Sequence, residues 1–241
     1  MRTIALISDG RTSHGIYKPI LNELKKSKYL EYRYIVTGFH LDKSHGSTFN
    51  FIKKEGYKIS HKFYLKISSD KERDQLSILE FYIAELKKYL LKQKIDVFLG
   101  QGDRIITLAA AITCSYLKIP FAHLHGGEKS GTFDETIRHA ITKFSDIHFP
   151  ASQKSLNRIL KLGEIKKRVI LTGSTAAEYT KNLTKKSRSY IFKKYKINPS
   201  FKDFCLLLYN PDSSRNTKNK NDIKIIISSL DELNIKTILV F

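Results

Sequence analysis

Cysteine and tryptophan are almost missing from this sequence: its 241 residues contain two cysteines, Cys114 and Cys205, and no tryptophan. Each cysteine lies inside an apolar run, so we expect both to be small buried hydrophobic side chains, not a disulfide pair or metal ligands. The aromatic residues are all Phe and Tyr, which is typical of a packed globular chain rather than a disordered one.

Long hydrophobic runs are missing too. No apolar stretch approaches the roughly 20 residues that a membrane-spanning helix needs. The N-terminal MRTIALISDG is interrupted too soon to act as a signal peptide. We therefore expect a soluble, cytoplasmic protein with no membrane partner. Neither a strand-linked G-x-G-x-x-G motif nor a Walker loop occurs, so NAD and ATP are not supported and we expect no cofactor.

Acidic residues are scarce, because 23 Asp and Glu stand against 43 Lys and Arg, which gives a formal net charge of +20. A charge of this size attracts anionic partners such as nucleic acid, a membrane surface or a phosphorylated metabolite. Lysine is scattered through every segment, and the sequence has no Arg-rich arm and no basic–aromatic RNA-binding motif. We favour solvated surface charge without a specific nucleic-acid partner, and keep a nucleic-acid-binding protein as an alternative.

Short apolar runs alternate along the chain with longer segments of helical periodicity. Each run has the length of a strand and ends at glycine or another turn residue. This repeated alternation predicts an α/β fold, a Rossmann-like parallel sheet with helices on both faces. The predicted strands are 3–8, 32–37, 97–100, 121–125, 147–150, 169–172, 204–209 and 236–241. The predicted helices are 70–93, 104–117, 134–144 and 152–162.

Two domains are predicted, a Rossmann-like catalytic domain over 1–178 and a linker with the start of a second domain over 179–241. The second part contains a Lys-rich polar segment, an apolar strand, a helical stripe and a last strand. One β–α–β unit cannot bury both faces of a sheet. We therefore expect this second domain to be incomplete.

Polar residues concentrate where the predicted strands end. Ligands of open α/β sheets bind outside the carboxyl ends of the strands, where the loops enter helices. The four polar strand ends are residues 9–11, 38–40, 102–104 and 126–128. They are the best candidates for a functional site that residue patterns alone supply.

The segment 98–149 carries a specific series of motifs. It contains GDR at 102–104, LAAA at 108–111, IPFAHLHGGE at 119–128 and SGTFDETIRHAITK at 130–143. In their order and spacing these motifs resemble the hydrolysing UDP-N-acetylglucosamine 2-epimerases of sialic- and legionaminic-acid-type pathways. Weaker similarity extends through DGRTSHG, VTGFHL and RVILTGS, and so covers nearly the whole chain.

This resemblance implies a glycosyltransferase-B-type architecture, with a UDP-sugar bound between two Rossmann-like domains. It also implies a reaction in which UDP is eliminated across C1 and C2 of the sugar and water adds to the resulting glycal. The products are UDP and N-acetylmannosamine or a related sugar. The substrate is UDP-GlcNAc or a modified derivative, and the resemblance further implies a homodimer.

The candidate catalytic residues are acidic groups and one histidine. Asp103, Glu128 and Asp134 match the family's catalytic carboxylates, and Glu135 and His139 add titratable groups beside them. Which carboxylate is base and which is acid stays open. Asp103 has the alternative of capping a helix, and the Asp134-Glu135 pair that of first-turn helix charge. His139 should face the same side as Glu135, with a satisfied buried polar group as its alternative.

Three arginines and one histidine are candidates for substrate binding. Arg11 matches the family's nucleotide-contacting arginine in the first loop, although several of its neighbours depart from the family pattern. Arg104 and Arg138 supply fixed positive charge for a diphosphate. His40 is assigned to the sugar, with a surface histidine as its alternative.

The HLHGGE motif supplies the remaining candidates. Gly126 and Gly127 let the backbone approach a sugar or phosphate closely, or they form an ordinary tight turn. His123 and His125 would share one face of a strand, and with Glu128 they could bind a metal. The resemblance accounts for this motif without a metal. We therefore predict no metal site and assign His125 to substrate binding.

This chain is much shorter than the members of the family that it resembles. The alternative function is a catalytically inactive truncated remnant, or one half of a split enzyme with a complementing C-terminal chain. A family His-Pro pair is replaced here by Asn210-Pro211, which is expected to alter contacts from the second domain.

Overall fold

Residues 1–65, 72–181, 184–209 and 216–240 are described in a computed structural model of the chain. The chain divides into two units, Met1–Asn182 and Leu183–Phe241. Within the described ranges, no helix is long and apolar enough to cross a bilayer.

The first unit is built on a six-stranded sheet in which every pairing is parallel. The strand order β3-β2-β1-β4-β5-β6 is that of the Rossmann fold, which reverses direction between β1 and β4. The strands are β1 (Arg2–Ser8), β2 (Leu30–Thr37), β3 (Ile59–Phe63), β4 (Val97–Gln101), β5 (Phe121–Leu124) and β6 (Ile147–Phe149).

Helices connect these strands and cover the sheet. Short 3₁₀ turns follow β2 at Gly38–His40 and precede residue 169 at Lys166–Arg168. The helices are α1 (Arg11–Lys26), α2 (Phe49–Lys54), α3 (Glu72–Leu90), α4 (Ile105–Leu117), α5 (Phe133–Lys143), α6 (Gln153–Lys161) and α7 (Thr175–Lys181).

Two apolar clusters fill the space between the sheet and the helices on its two faces. Successive side chains of a strand point to opposite faces. Accordingly, Ala5 and Ile7 of β1 join one cluster with α3 and α4, whereas Leu6 joins the other with α1. All three side chains are buried. A sheet buried on both faces requires nearly continuous apolar strands, which explains why the strands are visible in the sequence as short apolar runs.

The predicted α/β fold with a parallel sheet is confirmed, and three details of it are corrected. Residues 169–172 form no strand, since the only bridge there joins Val169 to His148. The strand predicted at 121–125 ends at Leu124, because His125 adopts a left-handed φ of 61°. The helix predicted at 70–93 spans Glu72–Leu90, and residues 70 and 71 lie outside the described residues.

The second unit contains α8 (Arg188–Lys194), β7 (Cys205–Leu208), α9 (Asn216–Glu232) and β8 (Thr237–Val240), with β7 and β8 paired in parallel. One face of β7 is open, because Leu206 and Leu208 are 62% and 59% exposed. Cys114 of the first unit is buried as predicted, but Cys205 is only half-buried. Asn210, Pro211 and the last residue of the predicted strand 236–241 lie outside the described residues.

Candidate active site

The order of the parallel strands reverses between β1 and β4. Charged side chains lie on both sides of that point. Asp9 follows β1 and Arg104 follows β4, with 4.0 Å between Asp9 Oδ2 and Arg104 Nε. Ser13 Oγ donates to the other Asp9 oxygen at 2.6 Å. Helix α1 begins at Arg11 without an acidic residue in its first turn, so its N–H groups and dipole favour an anion at this edge.

Asp103 does not cap the helix that follows it. Helix α4 begins at Ile105, its N-cap residue is Arg104, and no side chain caps it. The Asp103 carboxylate instead accepts a hydrogen bond from Nη2 of Arg138, 35 residues further along the chain. The capping alternative for Asp103 is therefore wrong, and this half-buried carboxylate is held by a charge-assisted bond.

Arg138 connects the loops that follow β4 and β5. Its side chain leaves the buried face of α5, and the residue is 7% exposed. Nη2 contacts Asp103, and Nη1 donates to the backbone carbonyl of Glu128 at 2.8 Å. One guanidinium thus brings Asp103 next to the loop that carries Glu128, whose own side chain is exposed.

The glycines of this loop are required by packing against the protein itself. Gly127 has a φ of 77°, and a Cβ there would lie 2.4 Å from the backbone oxygen of Ser155 in α6. A Cβ on Gly126 would lie 2.8 Å from the ring of His123. Arg158 of α6 donates to the carbonyl of Gly127 and holds the loop from that side.

His123, a buried residue of β5, holds the loop after β4 through a hydrogen bond to its backbone. Its Nε2 lies 2.8 Å from the carbonyl oxygen of Gly102, and its Nδ1 lies 3.2 Å from Thr142 Oγ1. Because a carbonyl only accepts, Nε2 carries the proton. Burial lowers the pKa of His123 to about 3, so the ring is neutral at pH 7. The sequence pattern suggested His123 only as a metal ligand, and its positioning contact was missed.

His125 stands apart from the strand that precedes it. It adopts the left-handed φ noted above, which is uncommon for a residue with a side chain and concentrates at functional sites. Within the described residues its buried Nε2 has no hydrogen-bond partner, and burial lowers its pKa. The described residues contain no group of three or more His, Cys, Asp or Glu arranged to hold a metal.

The first turn of α5 carries the remaining acidic candidates. Asp134 is exposed and lies one turn before Arg138 on the same side of the helix. Glu135 accepts N–H bonds from Gly131 at 2.7 Å and Ser130 at 2.9 Å, and these bonds lower its pKa. His139 Nε2 lies 3.6 Å from the other Glu135 oxygen, which confirms the predicted shared side.

His40 lies in the interior rather than on the surface. It is 1% exposed, with Nε2 2.8 Å from Ser8 Oγ and Nδ1 2.7 Å from Thr48 Oγ1. Burial lowers the pKa of His40 to about 4. The surface alternative is therefore wrong, and both ring nitrogens hold the ends of β1 and the segment before α2.

The candidates therefore divide into two groups. Hydrogen bonds bring together the loops of Asp103 and Glu128 and the helix of Asp134 and Glu135. Arg11 and Arg104 lie at the neighbouring point between β1 and β4. Four residues that hold this edge were not assigned a supporting role from the sequence. They are Asp9, Ser13, His123 and Arg158. Only Asp9 could have been recognised, because it directly follows a predicted strand.

Comparison with known proteins gives one family. Residues 22–241 match the family described as UDP-N-acetylglucosamine 2-epimerase. The chain is 32% identical over 211 residues to a hydrolysing UDP-N,N'-diacetylbacillosamine 2-epimerase of Legionella pneumophila, covering 88% of this chain and 56% of that one. It is 30% identical over 233 residues to a hydrolysing GDP/UDP-N,N'-diacetylbacillosamine 2-epimerase of Campylobacter jejuni, covering 96% and 60%. The chain thus spans less than two thirds of either relative.

A solved structure gives the same fold. The crystal structure of UDP-GlcNAc 2-epimerase from Neisseria meningitidis bound to UDP-GlcNAc matches with a TM-score of 0.82 at 19% identity. The match covers 100% of this chain and 66% of that chain. At this identity the likeness concerns the fold, and it confirms the predicted glycosyltransferase-B-type α/β class.

Proposed function

Since the chain belongs to the UDP-N-acetylglucosamine 2-epimerase family, we propose that it carries the acid–base half of a hydrolysing epimerisation at C2 of a UDP-N-acetylhexosamine. A carboxylate removes the C2 proton, and the C1–O bond to UDP breaks to leave a glycal. Water then adds: a proton returns to C2 on the opposite face and a hydroxyl group joins C1. The products are UDP and N-acetylmannosamine or a related free sugar.

One observation carries this proposal, namely the Arg138 bridge between the Asp103 carboxylate and the Glu128 carbonyl. The bridge supports a site in which carboxylates from separate loops act on one sugar carbon. Asp103, Glu128 and Asp134 are our candidates for the base and the acid. A base and an acid of this kind each contribute about 10²- to 10⁴-fold when they lie within hydrogen-bond reach of the proton.

Glu135, His139 and His125 are proposed to line the same site. Glu135 and His139 form a pair that lies beside Asp134 on the same helix. The unpartnered Nε2 of His125 is suited to a polar group of the substrate, because a buried ring nitrogen without a partner is costly. Gly126 and Gly127 are proposed to present backbone to the sugar, in addition to packing on His123 and on α6 respectively.

The diphosphate is proposed to lie at the point between β1 and β4. Arg11 is exposed there, the Arg104 side chain is 49% exposed, and the N-terminus of α1 has no acidic residue. These features support binding of an anionic leaving group. His40 is proposed to act on this loop through Ser8, since its ring is buried behind it.

The remaining parts of the proposal concern the whole protein. We assign residues 1–178 to the catalytic domain and 179–241 to a linker and part of a UDP-binding domain. A homodimer and a cytoplasmic location belong to the same proposal. Because two relatives are named for UDP-N,N'-diacetylbacillosamine, that sugar nucleotide should be tested beside UDP-GlcNAc.

The test is to incubate the purified chain with each sugar nucleotide in D₂O. We expect UDP release together with one deuterium at C2 of the free sugar, because the returning proton comes from solvent. Asp103→Asn should lower the rate of release by about 100-fold or more. The matched control is Asp96→Asn, a half-buried carboxylate at the opposite edge of the sheet that accepts from the Thr3 amide at 2.7 Å.

An equal loss of activity in the two aspartate variants would overturn the assignment of Asp103. A second candidate, in which this chain works with a complementing chain, is supported by the exposed apolar face of β7, where Leu206 and Leu208 are 62% and 59% exposed. If the chain alone releases no UDP, the C-terminal part of the Legionella relative that lies beyond the matched region should be produced separately and added. Activity that appears only in the mixture would support a split enzyme, and none in either case would support a remnant.

A further inference from the structure

We propose that Arg138 is a positioning residue that sets the Asp103 carboxylate against the Glu128 loop, and does not bind the diphosphate itself. This inference rests on the proposed function for the role of the two acids. It replaces the substrate-binding role that the sequence suggested for Arg138.

The first argument is that the guanidinium is already engaged. Nη2 contacts Asp103, and Nη1 donates to Glu128 O at 2.8 Å. The residue is 7% exposed, whereas Arg11, one of the two cations proposed for the diphosphate, is exposed. A buried arginine that turned toward a phosphate would leave the half-buried Asp103 carboxylate and the Glu128 carbonyl without this donor, and breaking both contacts costs free energy.

The second argument is geometric. The loop after β4 is fixed at its backbone, since Gly102 N donates to Leu124 O at 2.9 Å and Gly102 O accepts from His123. Neither bond holds the Asp103 side chain, and Arg138 does. The planar fork of a guanidinium can reach two acceptors at once with fixed angles, which a lysine ammonium cannot reproduce.

The chain offers a matched control in Arg158. Arg158 of α6 also donates to a backbone carbonyl of the loop after β5, the carbonyl of Gly127. Among the described residues it forms no ion pair with a carboxylate. Arg138 and Arg158 therefore both donate to carbonyls of the loop after β5, and only Arg138 also contacts Asp103.

The experiment compares Arg138→Lys and Arg158→Lys in the full chain. For Arg138→Lys we expect kcat for UDP release to fall by about 100-fold, because a displacement of about 1 Å at a reacting group has this effect, while KM stays near the wild-type value. Arg158→Lys removes the other arginine contact with the loop after β5 and should lower kcat far less. A rise in KM with unchanged kcat in Arg138→Lys would indicate direct substrate binding and overturn the proposal.

Amide hydrogen exchange supplies a readout that does not depend on turnover. Arg138→Lys should speed exchange in the peptides that contain Gly102 and Gly131, which lie in the two loops. Arg158→Lys should speed it only in the second. Equal patterns in the two variants would overturn the proposal. A wild-type chain that releases no UDP either alone or with the complementing segment counts against the proposed function, and the exchange pattern then decides whether Arg138 couples the loops.

Discussion

The tight approach of Gly127 to α6 allows one substitution to be predicted in detail. In Gly127→Ala the new Cβ would lie 2.4 Å from Ser155 O and 2.8 Å from Cγ1 of Ile159. Neither neighbour yields easily, because one is backbone inside α6 and the other belongs to a fully buried side chain. Gly127 also has a φ of 77°, which alanine adopts only with strain.

The two effects add to a measurable loss of stability. The left-handed backbone costs an alanine about 1–2 kcal/mol, and overpacking in a well-packed region costs about 1–3 kcal/mol. We therefore expect Gly127→Ala to lower the free energy of unfolding by about 2–5 kcal/mol. The assay is urea and thermal unfolding followed by circular dichroism.

Gly131→Ala is the matched control, because it changes the same loop without the clash. Gly131 has a φ of 71°, and nothing lies within 4 Å of the position that a Cβ would take there. It should lose only the backbone contribution of about 1–2 kcal/mol. The difference between the variants, about 1–3 kcal/mol, corresponds to roughly 2–12 °C in Tm for a chain of this size. Equal losses would refute the argument that α6 requires a glycine at 127.

Three further predictions follow from buried or exposed groups. Because the pKa of His40 in the folded chain is about 4 and that of His123 about 3, their contribution to stability is complete above pH 6.5. It is lost as the pH falls toward 4 and 3, by about 1.4 kcal/mol per pH unit for each histidine, and a flat urea-unfolding series from pH 7 to 4 would contradict this. Under native conditions a thiol reagent should label Cys205 rapidly and Cys114 only on unfolding, because Cys114 is buried and burial raises its pKa; equal labelling rates would contradict it. Arg11→Gln should weaken UDP binding by about tenfold or more in calorimetry, and an unchanged Kd would remove Arg11 from the diphosphate site.

The sequence predicts five of the six strands of the first unit, because a strand buried on both faces is a short, nearly continuous apolar run. The edge strand β3 was missed, since its sequence ISHKF is mostly polar. Helix α1 was not predicted, since it begins with the polar RTSH and contains Gly15 and Pro19. Its buried positions, Ser13, Tyr17 and Leu21, do recur with helical spacing. Tertiary packing on the sheet, which no local pattern reveals, outweighs the low helical propensity of this segment.

The candidate site could be located from the sequence but not assembled from it. Parallel strands end at one edge of a sheet, so polar residues after β1, β4 and β5 had to lie near one another. The choice of partner for each side chain depends on contacts between distant residues. Asp103 could have capped α4, and it binds Arg138 of α5 instead. His123 fitted a metal pattern, and its ring is engaged with Gly102.

The positive charges at the carboxyl ends of β1, β4 and β5 indicate which part of the proposed reaction the first unit serves. Two of its arginines, Arg138 and Arg158, are engaged with the protein itself, and Arg104 lies 4.0 Å from Asp9. Among the described residues, that leaves Arg11, the N-terminus of α1 and Arg104, whose charge Asp9 partly offsets, for a diphosphate that carries about two negative charges at pH 7. The segments that bear the candidate carboxylates, in contrast, meet here, because Arg138 of α5 contacts Asp103 after β4 and the carbonyl of Glu128 after β5. On the proposed function, this edge therefore serves proton transfer at the sugar carbon, and it neutralises the leaving UDP only in part, because Asp9 offsets some of the charge of Arg104.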